Sequence, residues 1–345
     1  MFYTTKEHLE RLFDDTVRSH SFHAKTKEEA FTWRQDLKEN LAELIGFNHM
    51  TVCAPDPQEL ERVACNGYTR VKLTIQTEPD VTMPFYLLIP DRGKELYRAI
   101  IACHGHCGGG KDAVAGVRSS QIVSDAITEF NYNYGEQLAK RGYLVFCPDA
   151  RGFGERRESY IQGNADWEIT GSSCGHLNCI AQPLGQSVTG MWIWDLMQLV
   201  NYALSRPDVS EVGCVGLSGG GLQSLWLAAM DDRIQCCAVS GYFYGYKASI
   251  LTNLCCSCNY VPGLWNMVDI GDLGAMIAPR PFVIETGDKD SLNVTMENVL
   301  TQVKTVKSAM ALYDAKDKLF HDIFDGEHRW HGDMVYQMLD LYFQP

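Results

Sequence analysis

The stretch VGCVGLSGG, residues 212–220, is a short apolar run that passes directly into the pattern Gly-x-Ser-x-Gly. Apolar residues recur at helical spacing over 222–230, so the pattern predicts a strand, a tight turn and a helix. A side chain two positions either side of such a turn would collide with the strand or the helix, and Gly216 and Gly220 avoid this collision. We therefore predict that Ser218 is a nucleophile held at a strained turn.

Short apolar runs typical of buried strands alternate with longer helical segments, which predicts βα units and a mostly parallel sheet. These runs are residues 99–103, 143–147, 212–216, 236–240, 281–285 and 319–324. Residues 71–75 and 85–89 predict two antiparallel edge strands. Together with the serine turn, this organisation predicts an α/β-hydrolase fold with about eight strands flanked by helices.

The chain divides into an extension and a main domain. Residues 1–66 are expected to form a helical N-terminal extension or cap, because apolar residues recur at helical spacing over 37–45. Residues 67–345 form the catalytic domain, with insertions near 152–190 and 242–275. Loops of this length in a compact domain are usually functional, so we expect the insertions to lie over the strand ends where substrate binds.

A serine hydroxyl is an effective nucleophile only when a base accepts its proton and a carboxylate orients that base. In this kind of fold the acid follows the serine in the chain and the histidine comes last. Asp290 stands beyond the turn that follows residues 281–285, so we predict it as the carboxylate and assign Asp288 to the turn itself. His328 directly follows the last strand and is the predicted base, with His331 at the start of the final helix as the alternative.

Two neighbouring patterns suggest other ligands. His328 and His331 with Glu327 resemble a metal set, but metalloprotease helices use His-Glu-x-x-His, whereas here the acid precedes the pair. The segment from Gly105 to Lys111 is close to a phosphate-binding loop, but an aspartate follows where a magnesium-binding Ser or Thr is needed. We therefore expect neither a metal nor a nucleotide at these positions.

The same segment follows the 99–103 strand as His104-Gly105-His106 and favours an oxyanion-binding loop. The backbone N–H groups of His106 and Gly219 are the two predicted donors. His104 is expected to be structural, with its ring bonded beneath the loop.

Composition narrows the function further. The net charge of −13 argues against nucleic-acid or anionic-membrane partners. The polar N-terminus and the lack of a long apolar run predict a cytoplasmic protein without a membrane span. The 13 cysteines are odd in number, and several stand inside apolar runs, which favours reduced buried thiols. Cys255, Cys256 and Cys258 suggest a metal site, but no second Cys or His pair is near them in sequence.

Taken together, the motifs resemble the α/β-hydrolase superfamily, and within it the esterase branch of dienelactone-hydrolase-like and acetyl xylan esterase or cephalosporin deacetylase-like enzymes. The resemblance spans residues 68–340 and rests on His104 to His106, Asp149 to Gly154, Gly216 to Gly220, Ala278 to Pro281, Gly287 to Asp290 and Gly326 to His328. In the deacetylases a tyrosine usually stands at the position of His106, and its side chain faces the acyl pocket. The resemblance therefore implies a different polarity there.

These observations predict a serine carboxylic ester hydrolase, such as an acetyl or small-acyl esterase, that acts on a small-molecule ester without a cofactor or a metal. The same triad also supports amide or peptide hydrolysis and acyl transfer, and a non-catalytic binding protein is a further alternative. The helical extension permits a homo-oligomer.

Overall fold

The computed structural model describes residues 2–91, 93–250, 253 and 255–345. Within these ranges nine strands form one mixed sheet in the order β1-β2-β3-β5-β4-β6-β7-β8-β9. Strands β1, β2 and β3 are antiparallel to their neighbours, whereas the six strands from β5 to β9 in that order run parallel. The strands are β1 (Gln58–Ala64), β2 (Tyr68–Glu78), β3 (Val81–Pro90), β4 (Tyr97–Cys103), β5 (Leu144–Pro148), β6 (Val209–Leu217), β7 (Ile234–Ser240), β8 (Phe282–Gly287) and β9 (Leu319–Phe324).

All eight predicted strands are present, and the α/β-hydrolase fold is confirmed. The ninth strand, β1, lies inside the segment expected to be helical. Its residues are polar and mostly exposed, so it carries no apolar period that marks a strand. Because β1 pairs with β2, the expected edge position of β2 and β3 is wrong, and β1 forms that edge of the sheet.

Thirteen α-helices surround the sheet in the described part of the chain. They are α1 (Lys6–Asp15), α2 (Lys27–Leu44), α3 (Lys111–Val114), α4 (Gln121–Phe130), α5 (Tyr134–Lys140), α6 (Asp166–Ile169), α7 (Cys174–Ala181), α8 (Val188–Ser205), α9 (Gly219–Met230), α10 (Tyr246–Ile250), α11 (Ile270–Ala275), α12 (Met296–Leu312) and α13 (Asp333–Tyr342). None of these helices is both long and apolar enough to cross a bilayer.

The N-terminal segment packs on the first insertion. Leu37, Leu41 and Ile45 are fully buried, which is the stripe that the helical period predicts. After α2 the chain turns at Gly46, whose φ is +89° and whose Cβ, if present, would lie 2.6 Å from the carbonyl oxygen of Gly185. Only glycine permits both this conformation and this contact.

The two insertions meet above the carboxyl edge of the sheet. The first contains α6 and α7, and the second contains α10 and a short 3-10 turn at Ser257–Asn259. The Ser257 hydroxyl donates to the Gly175 carbonyl at 2.8 Å, and the Asn178 amide donates to the Ser257 carbonyl at 2.7 Å. The loops that follow β4, β6, β8 and β9 open at this same edge, where ligands bind in open α/β sheets.

Candidate active site

Ser218 occupies the sharp turn between β6 and α9. Its φ of 59° and ψ of −120° lie in a region where residues other than glycine are strained. A Cβ on Gly216 would lie 2.2 Å from the Gly220 carbonyl oxygen, and a Cβ on Gly220 would lie 2.0 Å from that of Cys103. The Ser218 N–H donates to the Ser240 carbonyl at 2.8 Å, which ties the turn to β7. The two glycines are therefore a steric requirement of the turn.

Asp290 and His328 form a hydrogen-bonded pair. The distance between His328 Nδ1 and Asp290 Oδ2 is 2.6 Å. The other carboxylate oxygen, Oδ1, accepts from the Leu292 N–H at 2.9 Å, which fixes the carboxylate, and the Asp290 side chain is 1% exposed. Asp288 instead accepts from the Gly326 N–H at 3.0 Å, so it shapes the turn.

The imidazole of His328 lies against the backbone that supports Ser218. A Cβ on Gly241 would lie 2.8 Å from His328 Cε1, so the ring covers the Cα of this glycine. Gly241 directly follows Ser240, whose carbonyl accepts the Ser218 N–H. The structure thus brings the predicted nucleophile, base and carboxylate to one edge of the sheet.

The loop after β4 packs directly on the serine turn. A Cβ on Gly105 would lie 2.6 Å from the Leu217 carbonyl oxygen and 3.0 Å from the Gly219 nitrogen. Tyr132 holds this loop, because its hydroxyl accepts from the Gly105 N–H at 2.7 Å and donates to the His106 carbonyl at 3.1 Å. Among the described residues, the N–H groups of His106 and Gly219 have no hydrogen-bond acceptor. Free backbone donors are what a developing oxyanion requires.

The side chains of this loop have different surroundings from one another. His104 is 1% exposed, and its Nε2 accepts from the Ala150 N–H at 3.0 Å, as expected for a structural ring. Burial lowers the pKa of His104, which favours its neutral form. The His106 ring faces the insertions, with Nε2 3.6 Å from Cys174 Sγ and 3.7 Å from Cys258 Sγ. The resemblance implies that the side chain at this position faces an acyl pocket, whereas the His106 ring faces thiol groups.

Lys111 is part of a buried ion-pair network. Its Nζ lies 2.7 Å from Asp149 Oδ2 and 2.5 Å from Glu155 Oε2. Asp149 Oδ1 also accepts the Lys111 N–H at 2.7 Å. The amine is therefore compensated by two carboxylates and fixes the loop after β4 to the segment after β5.

His331 belongs to a second group of polar side chains. Its Nδ1 lies 2.7 Å from Asp322 Oδ2, and its ring stacks on Phe324 with the centroids 4.5 Å apart. Buried Glu285 accepts from the Gly332 N–H at 2.5 Å. Burial raises the pKa of Glu285 to about 7, although hydrogen bonds from Gly332 and Ser240 oppose this shift. His328 and His331 thus bind different carboxylates, and the two imidazoles do not share one site.

Sequence reasoning missed several of these residues. Tyr132, Glu285 and Asp322 stand in segments without a recognisable motif, and only their contacts reveal what they do. Cys174 was also missed, because it lies 68 positions from its neighbour His106. For Glu285 a weak signal existed, since a carboxylate ends an otherwise apolar run over residues 281–285.

The sheet order, the serine turn and the loops at the carboxyl edge define an α/β-hydrolase. The model of the Abhydrolase family matches residues 2–175, half of the chain, and the chain belongs to this family. The matched half contains the N-terminal helices and the loop after β4, whereas Ser218, Asp290 and His328 lie beyond it.

Individual relatives agree with this assignment. The Bacillus subtilis protein named "Putative hydrolase YtaP" is 29% identical over 240 residues, which are 67% of this chain and 74% of that protein. The structure of a "putative acetyl xylan esterase" from Bacteroides fragilis has a TM-score of 0.78 at 18% identity, covering 94% of this chain and 83% of its own. Acetyl xylan esterase 1 from Thermoanaerobacterium has a TM-score of 0.59 at 17% identity, with coverages of 96% and 98%. At these identities the solved structures show the fold.

Proposed function

We propose that this protein is a serine carboxylic ester hydrolase. The observation that carries the proposal is the hydrogen-bonded pair of His328 Nδ1 and Asp290 Oδ2 at 2.6 Å. The His328 ring packs on Gly241, which follows the residue whose carbonyl accepts the Ser218 N–H. A base that is oriented by a buried carboxylate next to a strained serine is the arrangement that activates a hydroxyl group.

In the first half of the reaction, Ser218 Oγ attacks the ester carbonyl and His328 Nε2 accepts its proton. The tetrahedral intermediate then collapses, and His328 returns this proton to the leaving alcohol, which leaves an acyl-serine. In the second half, water attacks the acyl carbonyl while His328 Nε2 takes a proton from the water. The second tetrahedral intermediate collapses, the bond to Ser218 Oγ breaks, His328 returns the proton to this oxygen, and the acid is released. Asp290 holds the imidazole through Nδ1 and stabilises its charged form.

Two features favour the negative charge of the intermediate. The N–H groups of Gly219 and His106 are the proposed oxyanion donors, each contributing about 3 kcal/mol in comparable sites. The N-terminus of α9, a helix of 12 residues, begins at Gly219 and presents the positive end of its dipole to the same place.

Two observations favour an ester as the substrate. Structural neighbours of this chain are named acetyl xylan esterases and glucuronoyl esterases. The His328 side chain is 25% exposed and Ser218 is partly exposed, which is consistent with a substrate that reaches both residues from solvent. We assign a small acyl group, such as acetyl, as the part that Ser218 receives.

A fluorophosphonate probe tests the proposal directly. The wild-type protein should become labelled and should hydrolyse p-nitrophenyl acetate, whereas Ser218→Ala should do neither. Ser224→Ala, in the helix α9 that follows the turn, is a matched control, because the Ser224 hydroxyl is buried without a hydrogen-bond partner. It should retain labelling and activity.

The outcomes separate the alternatives. Labelling that does not depend on Ser218, or a folded wild-type protein that neither labels nor hydrolyses esters, would contradict the proposal. Faster hydrolysis of p-nitroacetanilide than of the ester would indicate an amidase. Transfer of the acetyl group to an added alcohol in preference to water would indicate an acyltransferase.

A further inference from the structure

Four side chains with soft metal-binding atoms meet between the oxyanion loop and the two insertions. They are His106, Cys174, Cys256 and Cys258, and their ligand atoms all lie within 4.8 Å of one another. Cys174 and Cys258 are fully buried, and the other two residues are partly buried. The four residues belong to three separate segments of the chain, which only the tertiary structure brings together.

The two distances from the His106 ring match one tetrahedral ion, whereas the sulfur atoms of Cys174 and Cys256 lie closer together than such an ion requires and would move apart on binding. His106 Nε2 lies 3.6 Å from Cys174 Sγ and 3.7 Å from Cys258 Sγ, and Cys174 Sγ lies 3.1 Å from Cys256 Sγ. With Zn–S near 2.3 Å and Zn–N near 2.0–2.1 Å, a tetrahedral zinc site places its ligand atoms roughly 3.5–3.8 Å apart. We propose that His106, Cys174, Cys256 and Cys258 bind one zinc ion.

The surrounding polar groups fit sulfur atoms that act as thiolates. The Asn259 side-chain amide donates to Cys258 Sγ at 3.5 Å, and the Ser172 hydroxyl lies 3.2 Å from Cys174 Sγ. Outer partners of this kind orient the ligands of metal sites and tune their basicity. Thiols are weak hydrogen-bond donors and acceptors, so hydrogen bonds among them contribute little to holding three of them together.

The ligand count assigns this ion a structural role. Four protein ligands fill a tetrahedral zinc site and leave no position for water or substrate, in contrast to catalytic zinc sites, which keep one position open. The ion would join the loop after β4 to both insertions. The ion would also fix the loop that carries the His106 N–H donor, a consequence that rests on the esterase function proposed above.

Metal analysis tests the proposal on the whole protein. Protein purified without chelator from zinc-containing medium should hold about one zinc per chain. X-ray absorption at the zinc edge should give three sulfur neighbours at about 2.3 Å and one nitrogen at about 2.0–2.1 Å. This second measurement uses the wild-type protein, so it does not depend on a variant that folds.

Substitutions then assign the ligands. Cys256→Ser and Cys258→Ser should each lose most of the bound zinc. Cys255→Ser is the matched control, because Cys255 is adjacent in sequence but lies outside the cluster. The Cys255→Ser protein should keep the ion. Ser218→Ala should also keep the ion. Zinc binding without esterase activity would therefore support this inference while contradicting the proposed function.

Three results would overturn the proposal. The first is a folded wild-type protein that contains no zinc and takes up none when titrated with Zn²⁺. The second is a Cys174–Cys256 disulfide in freshly purified protein, found by mass spectrometry after the free thiols are alkylated without prior reduction. The third is a different metal in stoichiometric amount, or an absorption spectrum with fewer than three sulfur neighbours.

Discussion

His328 and Asp290 are 38 positions apart in the chain, yet Nδ1 of the histidine lies 2.6 Å from Oδ2 of the aspartate. The strands β8 and β9 pair in parallel, so the loops that follow them leave the sheet at the same edge. Parallel pairing therefore converts two distant loops into one site. The consequences can be measured residue by residue.

Asp290→Asn should lower kcat for p-nitrophenyl acetate by about 10⁴-fold, because an amide at this position favours the wrong imidazole tautomer. The protein should remain folded, since the substitution is nearly isosteric. Asp288→Asn is the control and should retain most of the activity, because Asp288 contacts the Gly326 N–H and not an imidazole. Equal losses in the two variants, measured by steady-state kinetics, would contradict the assignment of Asp290.

The two histidines should differ in the same assay. His328→Ala removes the proposed base, and kcat should fall by at least about 10³-fold. His331→Ala breaks a pair with Asp322 and a stack on Phe324, so it should affect stability more than kcat. If His331→Ala abolished turnover while His328→Ala preserved it, the base would be His331.

The strained backbone conformation of Ser218 should lower the free energy of unfolding of the protein. The Ser218 φ of 59° is strained for serine, and such strain costs on the order of 1–3 kcal/mol. Glycine relieves the strain but loses more backbone entropy on folding, by roughly 0.5–1 kcal/mol. Ser218→Gly should therefore be inactive, yet more stable to urea than Ser218→Ala by about 1 kcal/mol. An equal or lower free energy of unfolding for the glycine variant would mean that the strain at Ser218 does not exceed the extra backbone entropy that glycine loses.

Glu285 should make stability depend on pH. Burial raises the pKa of Glu285 from 4.5 to about 7, so the folded state holds this proton more tightly than the unfolded state. The resulting stabilisation is complete below about pH 4.5 and is lost as the pH rises through about 7, a change of roughly 3 kcal/mol.

Glu285→Gln keeps an acceptor for the Gly332 N–H but cannot ionise. Its free energy of unfolding, from urea titrations between about pH 5 and pH 8, should fall less with rising pH than that of the wild type. Glu327→Gln replaces an exposed carboxylate and serves as the control that follows the wild-type curve. Parallel curves for all three proteins would rule out Glu285 as the source of the dependence.

Much of the sheet could be predicted because its strands are buried on both faces and appear as continuous apolar runs. The run at residues 144–148 is fully buried, and its neighbours in the sheet show the same pattern. Strand β1 was missed for the opposite reason. It forms an edge and is mostly exposed, so burial places little constraint on its composition.

The candidate site residues could be predicted because they stand in local motifs. Gly216 and Gly220 are fixed by the steric limits of one turn, and a turn involves only neighbouring residues. The choice between His328 and His331 is harder to make from sequence, because both residues follow β9. In the structure each of them also contacts a carboxylate. The contact of His328 with Gly241 distinguishes them, and a contact of this kind has no sequence signature.

The cysteine cluster marks the limit of sequence reasoning. Cys258 is separated from His106 by 152 positions, and no spacing rule connects residues at such a distance. The absence of a nearby Cys or His pair argued against a metal site, whereas in the structure Cys256 and Cys258 meet His106 and Cys174 from other segments of the chain.

The sequence by itself determined the α/β-hydrolase fold, the serine turn and the order of the candidate triad. These features depend on local conformational limits and on the apolar pattern of buried strands, and both are written in short stretches of chain. Only the tertiary structure decided which carboxylate meets which imidazole and where the His106 ring points. It also decided that the two insertions place three thiols next to the His106 ring. Such contacts depend on how distant segments pack over the sheet, and packing is a property of the whole folded chain.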